Sequence, residues 1–149
     1  KPLGNQGTDV CPVKNAVRVS RFRDTSLSSS IILSCPAAVD TANWLDDIQA
    51  KHITHMGTLN CRKRRGRGIM SEHSFGIAID VSKIDDAVVA KHWNDKGDKG
   101  VKLREAAKAA CRYYSNVLTP ESNKLHHDHF HLDTGIGFQC DAGKRIKLR

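Results

Sequence analysis

Two stretches decide how this chain is read: Ser71-Glu72-His73-Ser74-Phe75-Gly76-Ile77-Ala78-Ile79-Asp80 and His126-His127-Asp128-His129-Phe130-His131-Leu132-Asp133. Both contain the apolar–polar alternation of a half-buried strand, whose side chains point to opposite faces in turn. In the second stretch Phe130 and Leu132 take the inner face, so His129 and His131 share the other. In the first, Ile77, Ile79 and Val81 take one face and Asp80 the opposite one. A carboxylate set between Ile79 and Val81 is costly unless it meets a cation or hydrogen-bond donors. His73 lies just before that strand, where a turn containing Gly76 can bring it back to Asp80. Two imidazoles and one carboxylate form a borderline donor set that suits zinc, with a fourth position open to water.

Working outward, Val13 to Phe22 alternates around Ala16–Phe22 and reads as a strand, and Ile31–Leu33 as a short buried one, with a Ser/Thr-rich turn at Asp24 to Ser30 between them. Pro36 to Lys51 reads as a helix, with proline in its first turn and Ala38, Ala42, Leu45 and Ile48 on one face. Ile53 to Cys61 is a strand candidate, and Arg62 to Gly68 (RKRRGRG) a basic loop. Ile84 to Trp93 suggests a short helix, and Asn94 to Gly100 a loop. Val101 to Leu118 is expected to be a long helix ended by Pro120. Strands and helices mix without a βαβ rhythm, so the expected class is α+β: a single small domain whose central antiparallel sheet carries the site and is flanked by helices. Residues 1–10 read as a linker or mature N-terminal tail, 11–134 as the domain, and 135–149 as a basic C-terminal extension. The start at Lys1 suggests a removed signal or an excised domain.

The 149 residues suffice for one domain with a sizeable core. No apolar run approaches the ~20 residues of a membrane span, so an integral helical membrane protein is not expected. The net charge of +8 favours an anionic partner or surface. The five cysteines are scattered, with no CxxC pair, which fits two long-range disulfides and one leftover thiol better than a zinc knuckle. Disulfides in turn imply an oxidising compartment, periplasmic or extracellular.

SEHSFGIAID fits the pattern S-x-H-x-x-G-x-A-x-D and is followed downstream by HxH. Together these resemble the superfamily of zinc domains that includes lysostaphin, D-Ala-D-Ala metallopeptidases and hedgehog. More closely, the chain from about Cys11 to Asp133 resembles the extensin-like C-terminal domain family of bacterial proteins, including Asn60-Cys61-Arg62 and Ala110-Cys111. The resemblance implies that His73, Asp80 and His131 bind Zn2+. It makes His129 an acid/base beside the metal, and His126 a group that orients substrate or stabilises an oxyanion. Another branch of the superfamily has a glutamate at the place of Asp128, so the base stays open between His129 and Asp128, with strand phase favouring His129. Asp133 is expected to serve a turn or a ligand's second ring nitrogen. Arg62, upstream of the motif as in relatives, would hold an oxyanion or a substrate carboxylate, and Ser71 would bind the peptide or fix the loop. The resemblance also puts Cys61 and Cys111 at shared positions. It implies a Cys61–Cys111 bridge, with Cys11–Cys35 as the second and Cys140 free or paired outside the chain.

The implied activity is a zinc-dependent peptidoglycan peptidase that hydrolyses an amide bond in cell-wall peptides. It would be an endopeptidase or carboxypeptidase, acting as a cell-wall remodelling enzyme or a secreted antibacterial effector. An effector would have an inhibitor or immunity protein as a further partner. The rival from another class is a non-catalytic zinc module that binds cell wall or protein. A nucleic-acid role, suggested only by RKRRGRG, is not expected, because aromatics for base stacking are few.

Overall fold

A computed structural model describes residues 1–142. In chain order the strands and helices are β1 (Pro2–Gly7), β2 (Pro12–Phe22), β3 (Thr25–Ser34), α1 (Cys35–Asp47), β4 (His52–Gly57), β5 (Ala78–Ile84), β6 (Ala87–Val88), α2 (Val89–His92), α3 (Asp98–Ala110), β7 (Asn116–Leu118), β8 (Phe130–Asp133) and β9 (Gln139–Cys140). Single 3-10 turns cover Glu72–Phe75 and Lys124–His126. The strands form one sheet in the order β1-β2-β3-β4-β5-β8-β7-β9, with β6 paired to β5. The class is α+β. The sheet is mixed rather than antiparallel throughout, because β3 runs parallel to β4 and β7 parallel to β9.

Hydrophobic burial explains which face is which. Ile79 and Val81 of β5, Phe130 and Leu132 of β8, and Ile31 and Leu33 of β3 are almost fully buried. Each fully buried aliphatic or aromatic side chain contributes roughly 1.5–3 kcal/mol against exposure. Ser34 caps α1 by accepting from the Ala37 N–H at 3.4 Å, and a proline follows in the first turn. The buried side of α1 meets α3, where the Trp44 indole N–H donates to the Ala106 carbonyl at 3.0 Å. The Tyr114 hydroxyl donates to Thr41 Oγ1 at 2.8 Å, so neither buried polar group is left without a partner. The residues alternating with this core, Asp80 and His131 among them, project from the other side of the sheet.

Several elements depart from the sequence expectations. The supposed linker holds β1, whose side chains are nearly all exposed. It is fixed by backbone pairing to β2, as in Pro2↔Val17 and Gln6↔Val13, so no hydrophobic pattern announced it. The serines assigned to a turn lie in β3, and the hairpin turns at Arg23–Asp24. Pairing of β3 with β2 overrides their local turn preference. The long helix stops at Ala110, and Asn116–Leu118 becomes β7 because β8 pairs it (Val117↔Leu132, Leu118↔His131). Within the supposed C-terminal extension, Gln139–Cys140 adds a strand to the same sheet; the rest of that stretch, 143–149, lies outside the described residues.

The disulfides also differ from those the resemblance implied. Cys11 is bonded to Cys61 and Cys111 to Cys140, while Cys35 is free and exposed. The topology accounts for this. Cys35 begins α1 and is exposed, whereas Cys11 is buried between β1 and β2. Cys140 pairs along β7 and so comes beside the end of α3, which carries Cys111. In the chain-entropy view each bridge stabilises the fold by roughly 3–4 kcal/mol. Peptide mapping without reductant should give two linked pairs, Cys11–Cys61 and Cys111–Cys140, with Cys35 alone alkylated; a Cys61–Cys111 peptide would contradict this pairing.

Candidate metal centre

The site forms where β5 and β8 pair antiparallel. The register sets Asp80 directly opposite His131, with Ile79↔Leu132 and Val81↔Phe130 on either side. Facing residues in such a ladder bring their side chains together. Asp80 Oδ1 accordingly lies 3.0 Å from His131 Nδ1. His73 arrives from the 3-10 turn Glu72–Phe75, which Ser71 caps by accepting from the His73 N–H at 3.4 Å. Gly76 closes that turn with φ +64°, a left-handed conformation that glycine adopts freely. A β-carbon there would also stand 2.7 Å from Val13 Cγ1, so the position is closed to other residues by packing as well. The outcome is that His73 Nε2 sits 3.2 Å from Asp80 Oδ1 and 3.2 Å from His131 Nδ1.

The protons of these rings follow from their other partners. His73 Nδ1 is 2.6 Å from the Thr58 carbonyl, which can only accept, so Nδ1 carries the hydrogen and Nε2 presents a lone pair. His131 Nε2 is 2.9 Å from Asp133 Oδ2, so in the neutral ring its hydrogen lies there and Nδ1 presents a lone pair. Asp133 is held by donations from Asn116 Nδ2 and the Gly135 N–H, both at 2.8 Å. With His131 neutral, three acceptor atoms thus face one another with no hydrogen between them. Ligands about 2.0–2.1 Å from a tetrahedral zinc stand ~3.3 Å apart, close to the 3.0–3.2 Å spacings here. His73, Asp80 and His131 could therefore hold such an ion. A second group, Glu72, His131 and Asp133, also has its donor atoms within reach of a common point. It is the weaker candidate, because Arg64 already binds the Glu72 carboxylate through two guanidinium nitrogens, Nε at 3.1 Å.

The electrostatics express the same demand for positive charge. Burial opposes charging His131, but hydrogen bonds to Asp133 and Asp80 outweigh it and push its pKa up to about 9. Burial likewise opposes ionising Asp80, yet contacts with His131 and His73 hold its carboxyl well below the usual range. Burial, reinforced by the charges of His129 and His131, draws His126 down to about 4.

The remaining residues singled out in the sequence lie around this triangle. His129 Nδ1 donates to Asp128 Oδ1 at 2.7 Å, leaving Nε2 turned inward, 3.8 Å from Asp80 Oδ1. That hydrogen bond keeps the Asp128 carboxyl below its ordinary value. His126 Nδ1 donates to Asn123 Oδ1 at 2.8 Å, an oxygen that also accepts from the Leu125 N–H. Its ring centre lies 5.1 Å from that of His129 and 5.9 Å from that of His131. Arg62 lines the same cleft, with its backbone pinned by Ser71 and Ser74: the Ser71 N–H donates to the Arg62 carbonyl at 2.9 Å, and the Arg62 N–H to Ser74 Oγ at 3.0 Å. His127 is exposed. Thr58, Ser74, Asn116 and Asn123 escaped the sequence reading. Each acts through hydrogen bonds to a site side chain or to loop backbone, and no spacing rule marks those.

His131 gives the metal-free protein a distinctive pH response. Its folded pKa exceeds the unfolded value of about 6.5, so this contribution is full below pH 6.5 and is lost as pH rises toward 9. Thermal melts of chelator-treated protein should fall in midpoint across that window, and His131→Gln should flatten the trend. An unchanged slope in the variant would show that another group is responsible.

The described helices include none long and apolar enough to cross a membrane. The two disulfides fit an oxidising compartment. No curated protein and no solved structure matches the chain. Residues 2–142, from β1 through the bridge at Cys140, match the family described as extensin-like protein C-terminus, and the chain belongs to that family.

Proposed function

We propose that this domain is a zinc-dependent peptidoglycan peptidase, hydrolysing an amide bond of cell-wall peptides in the periplasm or outside the cell, and built like the zinc peptidases of the lysostaphin, D-Ala-D-Ala metallopeptidase and hedgehog superfamily. One observation carries the reading. Beside the three converging acceptors stands a further imidazole, His129, whose ring is locked by Asp128 with its lone pair facing the same point. A site that only stabilised the fold would need no such group.

Zn2+ held by His73, Asp80 and His131 would supply Lewis acidity, acidifying a water and polarising the amide carbonyl. The protein's own groups do the rest. His129 Nε2 takes the proton of the attacking water and returns it to the leaving amine. Asp128 does not compete for that proton. It accepts from Nδ1, fixes the tautomer, and stabilises the ring while it is cationic. The two candidates for the base thus form one unit, with His129 as catalytic residue and Asp128 as positioning residue. His126 stays neutral at neutral pH, and its only hydrogen is committed to Asn123. It therefore accepts from a substrate N–H rather than donating to an oxyanion. Arg62, anchored through its backbone, is the cation available to the developing negative charge.

Mass spectrometry of purified peptidoglycan after digestion should show new muropeptides that a chelator abolishes and added zinc restores. Metal-dependent stability without any released product would instead support a binding module. His129→Ala should keep stoichiometric zinc while kcat falls by about 10²–10⁴, and Asp128→Asn should cost about ten- to a hundredfold. Near-normal turnover of His129→Ala would remove the base assignment.

Asp80→Ala and His131→Ala should each lose stoichiometric zinc, and the native site should release about one proton per ion near neutral pH, because His131 must shed its proton to bind. Full zinc occupancy in either variant would overturn the ligand set.

A further inference from the structure

The catalytic groups lie in a cleft of about 1170 Å³ whose lining combines two kinds of side chain. The loop from Arg62 to Arg67 brings Arg62, Lys63, Arg64, Arg65 and Arg67 to it. The acids in the cleft leave most of this positive charge unpaired. Glu72 is held by Arg64, Asp80 by His73 and His131, Asp128 by His129, and Asp133 by His131 and Asn116. Among the described residues, Arg62, Lys63, Arg65 and Arg67 form no ion pair with a carboxylate. The same cleft is lined by Leu125, Ile136 and Phe138, large apolar side chains that all remain exposed. Two of the lining segments are tied down by a disulfide: Cys61 precedes Arg62 and is bonded to Cys11, and Cys140 follows Phe138 and is bonded to Cys111. Both segments are thus anchored before ligand arrives, which lowers the ordering cost of binding.

Resting on the peptidase reading for the ligand's being a peptide, we infer that the cleft selects a peptide bearing both a free carboxylate, met by the Arg62–Arg67 loop, and an apolar group, met by Leu125, Ile136 or Phe138. Guanidinium groups pair with carboxylates through two parallel N–H donors, so several of them lining one cleft favour an anionic peptide over a neutral one. A nucleic acid fits less well. Phe138 is the one aromatic among the described cleft residues other than imidazoles, and single strands are held by series of stacking rings.

The test is binding, read separately from turnover. Fluorescence anisotropy would compare the wild-type chain with fluorescein-labelled Ala-γ-Glu-Lys-Leu carrying free carboxylates, with its fully amidated counterpart, and with a single-stranded oligonucleotide. The free acid should bind about tenfold more tightly than the amide, with the preference shrinking at about 0.2 M salt. The double variant Arg65→Ala with Arg67→Ala should reduce that preference to about threefold or less and leave the amide's Kd unchanged, whereas Phe138→Ser should weaken both peptides alike. Equal affinity for acid and amide, a preference that survives the arginine substitutions, or tighter binding of the oligonucleotide would overturn the inference. Selective binding with no muropeptide released would leave it standing and remove the peptidase reading instead.

Discussion

The arrangement hinges on three atoms brought within 3.2 Å of one another that, with His131 neutral, are all acceptors with no hydrogen to share. In water such a cluster would disperse. Here the β5–β8 register fixes two of its members, and a glycine-closed turn packed on β2 fixes the third. The carbonyl of Thr58 and the carboxylate of Asp133 then remove the freedom of the rings to turn a hydrogen inward. Positive charge is the one remaining way to relieve the repulsion, and a proton on His131 or a metal ion at the centre are the two forms it can take. Occupants that satisfy the same lone pairs must compete, so acidity and metal occupancy are coupled at this place in the fold.

The rest of the molecule can be understood as the support this cluster requires. Hydrophobic side chains alternate with the polar ones on β5 and β8, so the core that holds the strands together and the site they carry are opposite faces of the same residues' pattern. Packing of α1 and α3 covers the inner face and leaves the outer one open. The disulfides link segments that line the cleft to the body of the fold: Cys61, beside Arg62, is bonded to the buried Cys11, and Cys140, near Phe138, to Cys111 at the end of α3. They restrain loops that have little buried surface of their own, where hydrophobic packing has least to offer.

What could be read from the chain in advance divides along physical lines. The strand phases of 77–81 and 129–132 were legible because period-two alternation records which side faces the core, and the helix at α1 because proline and the apolar spacing mark it. The edge strand β1 was not legible, since its bonds are between backbones and its side chains face solvent. Nor was β7, where Asn116–Leu118 continues a helical stripe until β8 claims it. Cysteine pairing failed for a related reason: which thiols meet depends on the path of β1 and β9, and both were invisible locally. Within the site, the histidines and acids stood out by residue type and spacing. The carbonyl and amide groups that set their tautomers did not, because any residue could have provided them.

The period of two also sets how the two imidazoles are held. His129, His131 and Asp133 occupy alternate positions along one chain segment, and all three reach the same side of the sheet. Asp133 orients His131, and Asp128, one residue before His129, orients His129. Each imidazole therefore has its own carboxylate, and the two rings need opposite nitrogens held: Nε2 in His131 and Nδ1 in His129. A carboxylate two residues along the strand reaches the far nitrogen of a ring, and one from the adjacent residue reaches the near nitrogen. Sequence position relative to the strand thereby sets which nitrogen faces the cluster, and with it which imidazole can act as a ligand and which can move a proton. Exchanging histidine and aspartate within this segment would keep its composition and charge but destroy that division of labour, so the order of residues, more than their presence, specifies the chemistry.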